Sequence, residues 1–158
     1  MLPLIPVLKR NKELLELLLE LLTQERVAFG SLNTTKIQEI SQAKQTAIDE
    51  LDELGEKQHK ILCKFGVINP RKPTPGAFKN WLSEQLPEDE TRLLVEECES
   101  LLVECKGKNF ANERILNSVR RRNQAMLEIL KGQNKKHRVY TASGDSRPIS
   151  SKHIIGSA

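Results

Sequence analysis

Residues 98–130 read CESLLVECKGKNFANERILNSVRRRNQAMLEIL, and a seam of apolar, cysteine and asparagine residues recurs there in alternating steps of four and three. The seam consists of Cys98, Leu102, Cys105, Asn109, Asn112, Leu116, Val119, Asn123, Met126 and Leu130. Such an a/d repeat is typical of a helix that lies along other helices in a coiled coil. Asparagines inside the seam select one register at some cost in stability. The stretch therefore predicts an all-α protein built from long packed helices.

The composition agrees with that architecture. A chain of 158 residues is the size of one domain, and 4% aromatic with 29% charged residues suits solvated helices better than a thick globular core. The formal net charge is +4, but residues 131–158 hold six Lys or Arg and one Asp, which leaves 19 basic and 20 acidic residues before them. Because the body is nearly neutral, we expect no nucleic-acid partner.

The pattern predicts helices at about 11–29, 33–65, 75–86 and 87–131. We expect them to form an elongated antiparallel bundle or coiled coil, three long helices plus one short helix, over residues 1–132. Pro3 and Pro6 indicate an extended start, and Gly30 and Gly132 are expected to end the first and last helices. Residues 133–158 are expected to be a flexible basic tail.

Smaller signals place the connections between these helices. Ser31 or Asn33 can cap the second helix, and Gly66 followed by Val67 indicates a Schellman stop at its end. Trp81 belongs to the short helix, which we expect to lie across the bundle end as a lid. The seam keeps its phase across Gly107, so the last helix is predicted to be continuous there.

The sequence offers no catalytic or metal site, so no enzyme activity and no cofactor are expected. The three histidines are scattered, and no glycine-rich phosphate loop occurs. Cys98 and Cys105 lie about 10 Å apart along a helix, too far for one zinc ion. An odd number of cysteines indicates reduced thiols and a cytoplasmic location. No apolar run is long enough for membrane insertion.

Several fragments, in this order and spacing, give the chain a family resemblance. They are Leu21-Leu22-x-x-Glu25-x-x-Ala28-Phe29, the series Ile37, Ile40, Lys44, Ile48 and Leu51, the pair Asn109-x-x-Asn112, residues 123–130 (NQAMLEIL), and Val139-Tyr140 before Gly144. With them the chain resembles the FlgN-type flagellar secretion chaperones. These chaperones escort hook-filament junction proteins to the flagellar export apparatus.

The resemblance implies an all-helical, cytoplasmic chaperone whose C-terminal helical region holds the amphipathic C-terminal segment of a junction protein. The client site would then fall on the later part of the last helix. The apolar candidates there are Ile115, Leu116, Val119, Met126, Leu127 and Leu130. The resemblance also implies that Tyr140 docks the chaperone on the export gate. It assigns no role to the residues after Ile149.

Two other hypotheses use the same features. A structural or regulatory coiled coil would bury the extra apolar residues by self-association into a homo-oligomer. A helical RNA-associated protein would use Arg120, Arg121 and Arg122 together with the basic tail. Consecutive helical positions fan over about 200°, however, so ion pairs are the favoured role of these three arginines.

Overall fold

A computed structural model describes the backbone of residues 3–142 and the side chains of residues 3–132. Within that part of the chain lie four α-helices, namely α1 (Ile5–Ser31), α2 (Thr34–Lys64), α3 (Ala77–Ser83) and α4 (Glu90–Ala142). None of the described residues forms a β-strand. The predicted all-α class, with three long helices and one short helix, is confirmed.

The chain divides into two compact units, Met1–Ile115 and Leu116–Ala158. The first unit contains α1, α2, α3 and the beginning of α4. The second unit contains the remainder of α4. The boundary that the sequence suggested at residue 132 therefore lies inside the second unit.

In the first unit, α1 and α2 run antiparallel, as predicted. Near the start of α1, Arg10 Nε lies 2.7 Å from Glu50 Oε1 in the second half of α2. Near the end of α1, Glu25 Oε2 lies 2.9 Å from Lys44 Nζ in the first half of α2. The residue numbers of the two helices thus change in opposite directions along the pair.

In the same unit, α4 runs parallel to α1, as an up-down-up arrangement of three long helices requires. Lys9 Nζ lies 2.8 Å from Glu90 Oε1, and Lys12 Nζ lies 2.8 Å from Glu97 Oε2. Further along, Lys108 Nζ donates a 2.9 Å hydrogen bond to Thr23 Oγ1. The numbers on both helices rise together, so α1 lies between an antiparallel and a parallel neighbour.

The core of this unit is a narrow series of apolar clusters, as the composition predicts. One cluster closes the end where α1 and α4 begin and α2 ends, and its buried members are Leu4, Leu8, Leu62, Leu82, Leu94 and Val95. Leu82 comes from α3, and Trp81 packs against the same cluster, stacked on Phe78 with ring centroids 6.0 Å apart. The prediction that the short helix lies across the bundle end is confirmed.

The predicted extended start of the chain is wrong, because α1 begins at Ile5 rather than near residue 11. Pro6 occupies one of the first two helical positions, where the missing N–H has no intrahelical acceptor to lose. Leu4 and Leu8 are 0% and 2% exposed, so apolar burial holds this first turn. Pro6 thus starts a helix here instead of preventing one.

The turn between α1 and α2 also differs from the prediction. Leu32, and not Gly30, takes the left-handed conformation after α1, with φ of 52°. Leu32 N and Asn33 N donate to Phe29 O at 3.4 Å and Ala28 O at 3.3 Å, which completes a Schellman pattern. The Asn33 side chain then accepts from Lys36 N at 3.1 Å and caps α2, as predicted.

The end of α2 matches the prediction. Gly66 has φ of 76°, and its N–H donates to Cys63 O at 3.1 Å. Val67 N donates to Leu62 O at 2.9 Å, which is the second bond of a Schellman motif. The short helix begins slightly later than the predicted residue 75, because Gly76 is the N-cap of α3.

Helix α4 begins three residues later than predicted and ends well after the predicted stop at 131–132. Asp89 Oδ1 accepts from Thr91 N at 2.9 Å and caps the start of the helix. The helix is continuous through Gly107, as predicted, and it also continues through Gly132 to Ala142. Residues 133–142, which the sequence assigns to the tail, belong to the backbone of α4. Residues 143–158 lie outside the described residues.

No helix in the described part of the chain has an apolar stretch sufficient to cross a membrane.

Candidate functional site

A polar layer, defined as Glu25, Lys44, Asn109 and Asn112, joins the three long helices inside the first unit. Lys44 Nζ donates to Glu25 Oε1 at 3.1 Å and Oε2 at 2.9 Å, and also to Asn109 Oδ1 at 3.3 Å. Asn112 Nδ2 donates to Glu25 Oε1 at 3.0 Å. The Glu25 carboxylate therefore receives a cation from α2 and an amide from α4.

Because the polar layer is buried, its polar groups need hydrogen-bond partners within the protein. Glu25 and Asn112 are 7% and 2% exposed, and an unsatisfied buried polar group costs about 1–3 kcal/mol. No fully buried side-chain nitrogen or oxygen within the described residues lacks a hydrogen-bond partner. The observed register of α1, α2 and α4 satisfies these groups, and a shift of one helix would separate them, which is the role predicted for the seam asparagines.

A second set of contacts fixes α4 along α1. Side chains spaced seven residues apart on α4 contact main-chain oxygens spaced seven residues apart on α1. These contacts are Cys98 Sγ to Leu8 O at 3.7 Å, Cys105 Sγ to Leu15 O at 3.5 Å, and Asn112 Nδ2 to Leu22 O at 2.8 Å. Burial raises the pKa of the Cys98 and Cys105 thiols, so both remain neutral weak donors. The heptad predicted from the sequence thus corresponds to a real register between two helices.

Exposed ion pairs surround this interior. The hydrogen bond with Arg10 lowers the pKa of the Glu50 carboxyl, and the same interaction, together with Glu13, raises the pKa of Arg10. The hydrogen bond with Glu97 raises the pKa of Lys12. These solvated pairs orient the helices and add little stability.

The second unit contains most of the predicted client-binding residues. Its apolar stripe, defined as Leu116, Val119, Met126, Leu127 and Leu130, spans an arc of about 100° on α4 at 100° per residue. Leu116 and Val119 are half-buried. Met126, Leu127 and Leu130 are 63%, 56% and 49% exposed. The sixth predicted residue, Ile115, is half-buried and is the last residue of the first unit.

Some exposed apolar residues were missed by the sequence pattern. Ile129 is 61% exposed and lies beside the apolar stripe, but an a/d template gives it no position. In the first unit, Val103 and Phe110 are 71% and 63% exposed on α4. Their seven-residue spacing was available as a signal of a second apolar face on the same helix.

Other predicted features can be placed only in part. The backbone of Tyr140 belongs to α4, but its side chain lies outside the described residues. Arg120, Arg121 and Arg122 are exposed, and the predicted ion pairs do not occur among the side chains of residues 3–132. No group of three potential metal ligands occurs within the described residues.

The structure thus defines a helical-bundle protein whose longest helix presents apolar side chains to solvent. A family model described as FlgN protein matches residues 3–148, and the chain belongs to the FlgN family. This is a family of flagellar export chaperones, not of enzymes. Neither the curated proteins nor the solved structures contain a significant match.

Proposed function

We propose that the protein is a cytoplasmic export chaperone for flagellar hook-filament junction proteins. It binds their amphipathic C-terminal segments and delivers them to the flagellar type III export apparatus. The observation that supports this proposal is the exposure of Met126, Leu127 and Leu130 on one helix of a protein from a chaperone family. Exposed apolar side chains that lie together on a surface are typical of interaction sites.

The proposed binding mode is the packing of a client helix along the apolar stripe. An amphipathic helix presents apolar residues at positions i, i+3, i+4 and i+7, and the stripe presents its own apolar residues on one face of α4 for such a helix to pack against. Full burial of one Leu or Met side chain contributes about 1.5–3 kcal/mol. Three half-exposed side chains therefore supply several kcal/mol before the ordering of the client is subtracted.

Two further properties suit this role. The unbranched side chain of Met126 can adapt to client helices of different shape. Arg120 and Arg122 are exposed and flank the stripe on its two sides at 100° per residue, so acidic residues on the polar face of a client would find cationic partners. Such rim charges change association rates and partner choice more than affinity.

Delivery is assigned to Tyr140 on the basis of the family resemblance. An aromatic side chain with a hydroxyl group is a frequent anchor at protein interfaces. We expect Tyr140→Ala, or deletion of residues 133–158, to stop delivery to the export apparatus while client binding persists. Loss of client binding in Tyr140→Ala would contradict the division of roles.

Titration calorimetry with a peptide from the C-terminus of a junction protein tests the client assignment. We expect binding with a negative heat-capacity change, because apolar surface is buried. The double variant Leu127→Glu/Leu130→Glu should weaken binding about 100-fold or more. Val27→Glu is a matched control, since Val27 is 69% exposed on α1. An absence of binding at micromolar concentration, or equal weakening by the control, would refute the client site.

The same exposed side chains also support a second candidate function, a self-associating structural or regulatory coiled coil. In that case Met126, Leu127 and Leu130 would pack against a second copy of the chain. Sedimentation would then show oligomers that the variant Leu127→Glu/Leu130→Glu abolishes, and the junction-protein peptide would not bind.

A further inference from the structure

Helix α4 carries a second apolar surface inside the first unit, which we call the Gly107 face. It consists of Glu99, Val103, Gly107, Phe110 and Arg114, all exposed. At 100° per residue these positions lie within an arc of about 80°. The arc is opposite to Cys105 and Asn112, whose side chains contact α1. The bundle of the first unit therefore leaves this face to solvent.

The centre of the Gly107 face is unusual for a solvated helix. Val103 and Phe110 are 71% and 63% exposed. A glycine inside a helix costs about 1 kcal/mol relative to alanine, and no described atom within 4 Å would oppose a Cβ at Gly107. The monomer gains no packing from the missing side chain. A second helix that crosses closely at this point would gain access to the backbone.

The face is complementary to itself. When two copies of α4 are placed antiparallel about a two-fold axis beside Gly107, Val103 of each copy meets Phe110 of the other. In an antiparallel pair, the residue numbers of facing residues have a constant sum. Glu99 and Arg114 have the same sum as Val103 and Phe110, so Glu99 of each copy then meets Arg114 of the other. Neither Glu99 nor Arg114 forms an ion pair with any side chain of residues 3–132. Each charge is thus available to a partner.

We propose that the Gly107 face is the interface of a homodimer with antiparallel α4 helices. A two-fold interface requires one patch that fits itself, and this face provides two apolar pairs and two ion pairs around a small centre. The contact involves about four helical turns from each copy, so the dimer is small and reversible. We expect it to form between roughly 10 µM and 1 mM, the range of weak, transient interfaces.

Sedimentation velocity on the full chain and two charge variants tests the pairing. Glu99→Arg places two arginines opposite each other, and Arg114→Glu places two glutamates opposite each other. Each variant alone should dimerise about tenfold more weakly or worse. An equimolar mixture of the two should recover dimers, because every Arg then faces a Glu. The double variant Glu99→Arg/Arg114→Glu should also recover them.

A matched pair of glycine variants tests the close approach. Gly55 lies inside α2, is exposed, and also has no described atom within 4 Å of an added Cβ. Gly107→Gln should abolish the dimer, whereas Gly55→Gln should leave it intact. Both should retain the helical circular dichroism of the unchanged chain.

Three results would overturn the proposal. One is a monomeric chain at 1 mM, and another is a failure of the mixed charge variants to dimerise better than either alone. The third is a dimer that is lost in Leu127→Glu/Leu130→Glu but unaffected by the charge variants, since its interface would then be the apolar stripe. Client binding is measured separately with the junction-protein peptide. The proposed function can therefore fail while the dimer is found, and the dimer can be absent while the client peptide binds.

Discussion

Helix α4 is used in opposite ways in the two units of the protein. In the first unit, its seam positions Cys105 and Asn112 are 3% and 2% exposed, and both donate to main-chain oxygens of α1. In the second unit, its seam positions Met126 and Leu130 are 63% and 49% exposed. At these four seam positions, the polar or weakly polar side chains are buried and the strongly apolar ones are in solvent.

This inversion shows what each part of the helix contributes. A buried amide or thiol stabilises less than a leucine would, but it requires a defined partner and so determines register. An exposed Met or Leu adds nothing to the stability of the free chain, but it can be buried by a partner. The first unit therefore uses α4 to fix the register of its helices, and the client binding proposed above falls to the second unit.

The largest expected effect comes from comparing a leucine of each unit. Leu22 is 1% exposed, so Leu22→Ala removes buried contacts and leaves a cavity. The expected loss is about 3–5 kcal/mol of unfolding free energy. Leu127 is 56% exposed, and Leu127→Ala should cost less than about 0.5 kcal/mol. Urea denaturation followed by circular dichroism measures both, and similar costs would remove the contrast between the units.

The next largest effect concerns the buried ion pair. Glu25→Ala leaves Lys44, whose side chain is 17% exposed, without its carboxylate. We expect destabilisation of about 3 kcal/mol, the lower end for breaking a buried pair. Replacing both partners, as Glu25→Met/Lys44→Met, should cost less than the single change because no buried charge remains.

Glu16→Ala provides the control for the ion pair, since Glu16 is an exposed carboxylate on the same helix. Its removal should change stability by less than about 0.5 kcal/mol. If the double variant at Glu25 and Lys44 were less stable than Glu25→Ala, the ion pair would itself stabilise the folded chain. The interpretation that these buried polar groups mainly determine the register of the helices would then fail.

A smaller effect is expected from the seam asparagines. Asn112→Ala removes two hydrogen bonds, one of them to a charged carboxylate, and should cost about 2 kcal/mol. Asn123 also belongs to the seam but is exposed in the second unit, so Asn123→Ala should cost less than about 0.5 kcal/mol. Equal denaturation midpoints for the two variants would contradict the view that only the asparagines of the polar layer stabilise the fold.

The sequence predicts much of this fold because the decisive signals are local. The heptad seam of α4, the Schellman stop at Gly66 and the Asn33 cap each depend on residues close together in the chain. The partners of the asparagines could not be predicted in the same way. Glu25 and Lys44 come from other helices, and their register relative to α4 depends on tertiary packing that a single-helix pattern does not contain.

The helix ends were the least predictable features, for physical reasons that differ. Pro6 is compatible with a first turn, and Leu4 and Leu8 bury that turn against residues distant in sequence. Gly132 stops a helix only if it adopts a left-handed conformation with the following bonds, and α4 continues through it instead. The exposed fraction of Met126 or Phe110 likewise depends on the neighbours that the fold supplies, not on the periodicity of α4.

The smallest effect is a difference in thiol reactivity that tests burial in the first unit. Cys105 is 3% exposed and burial raises its pKa, so it should react with iodoacetamide about tenfold or more slowly than half-buried Cys63 at pH 8. Cys98 is also half-buried with a raised pKa, so an intermediate rate is expected. Mass spectrometry of timed samples gives the three rates, and urea should make them equal. Rapid modification of Cys105 in the folded protein would show that α4 separates readily from α1, and the contrast between a closed first unit and an open second unit would then be lost.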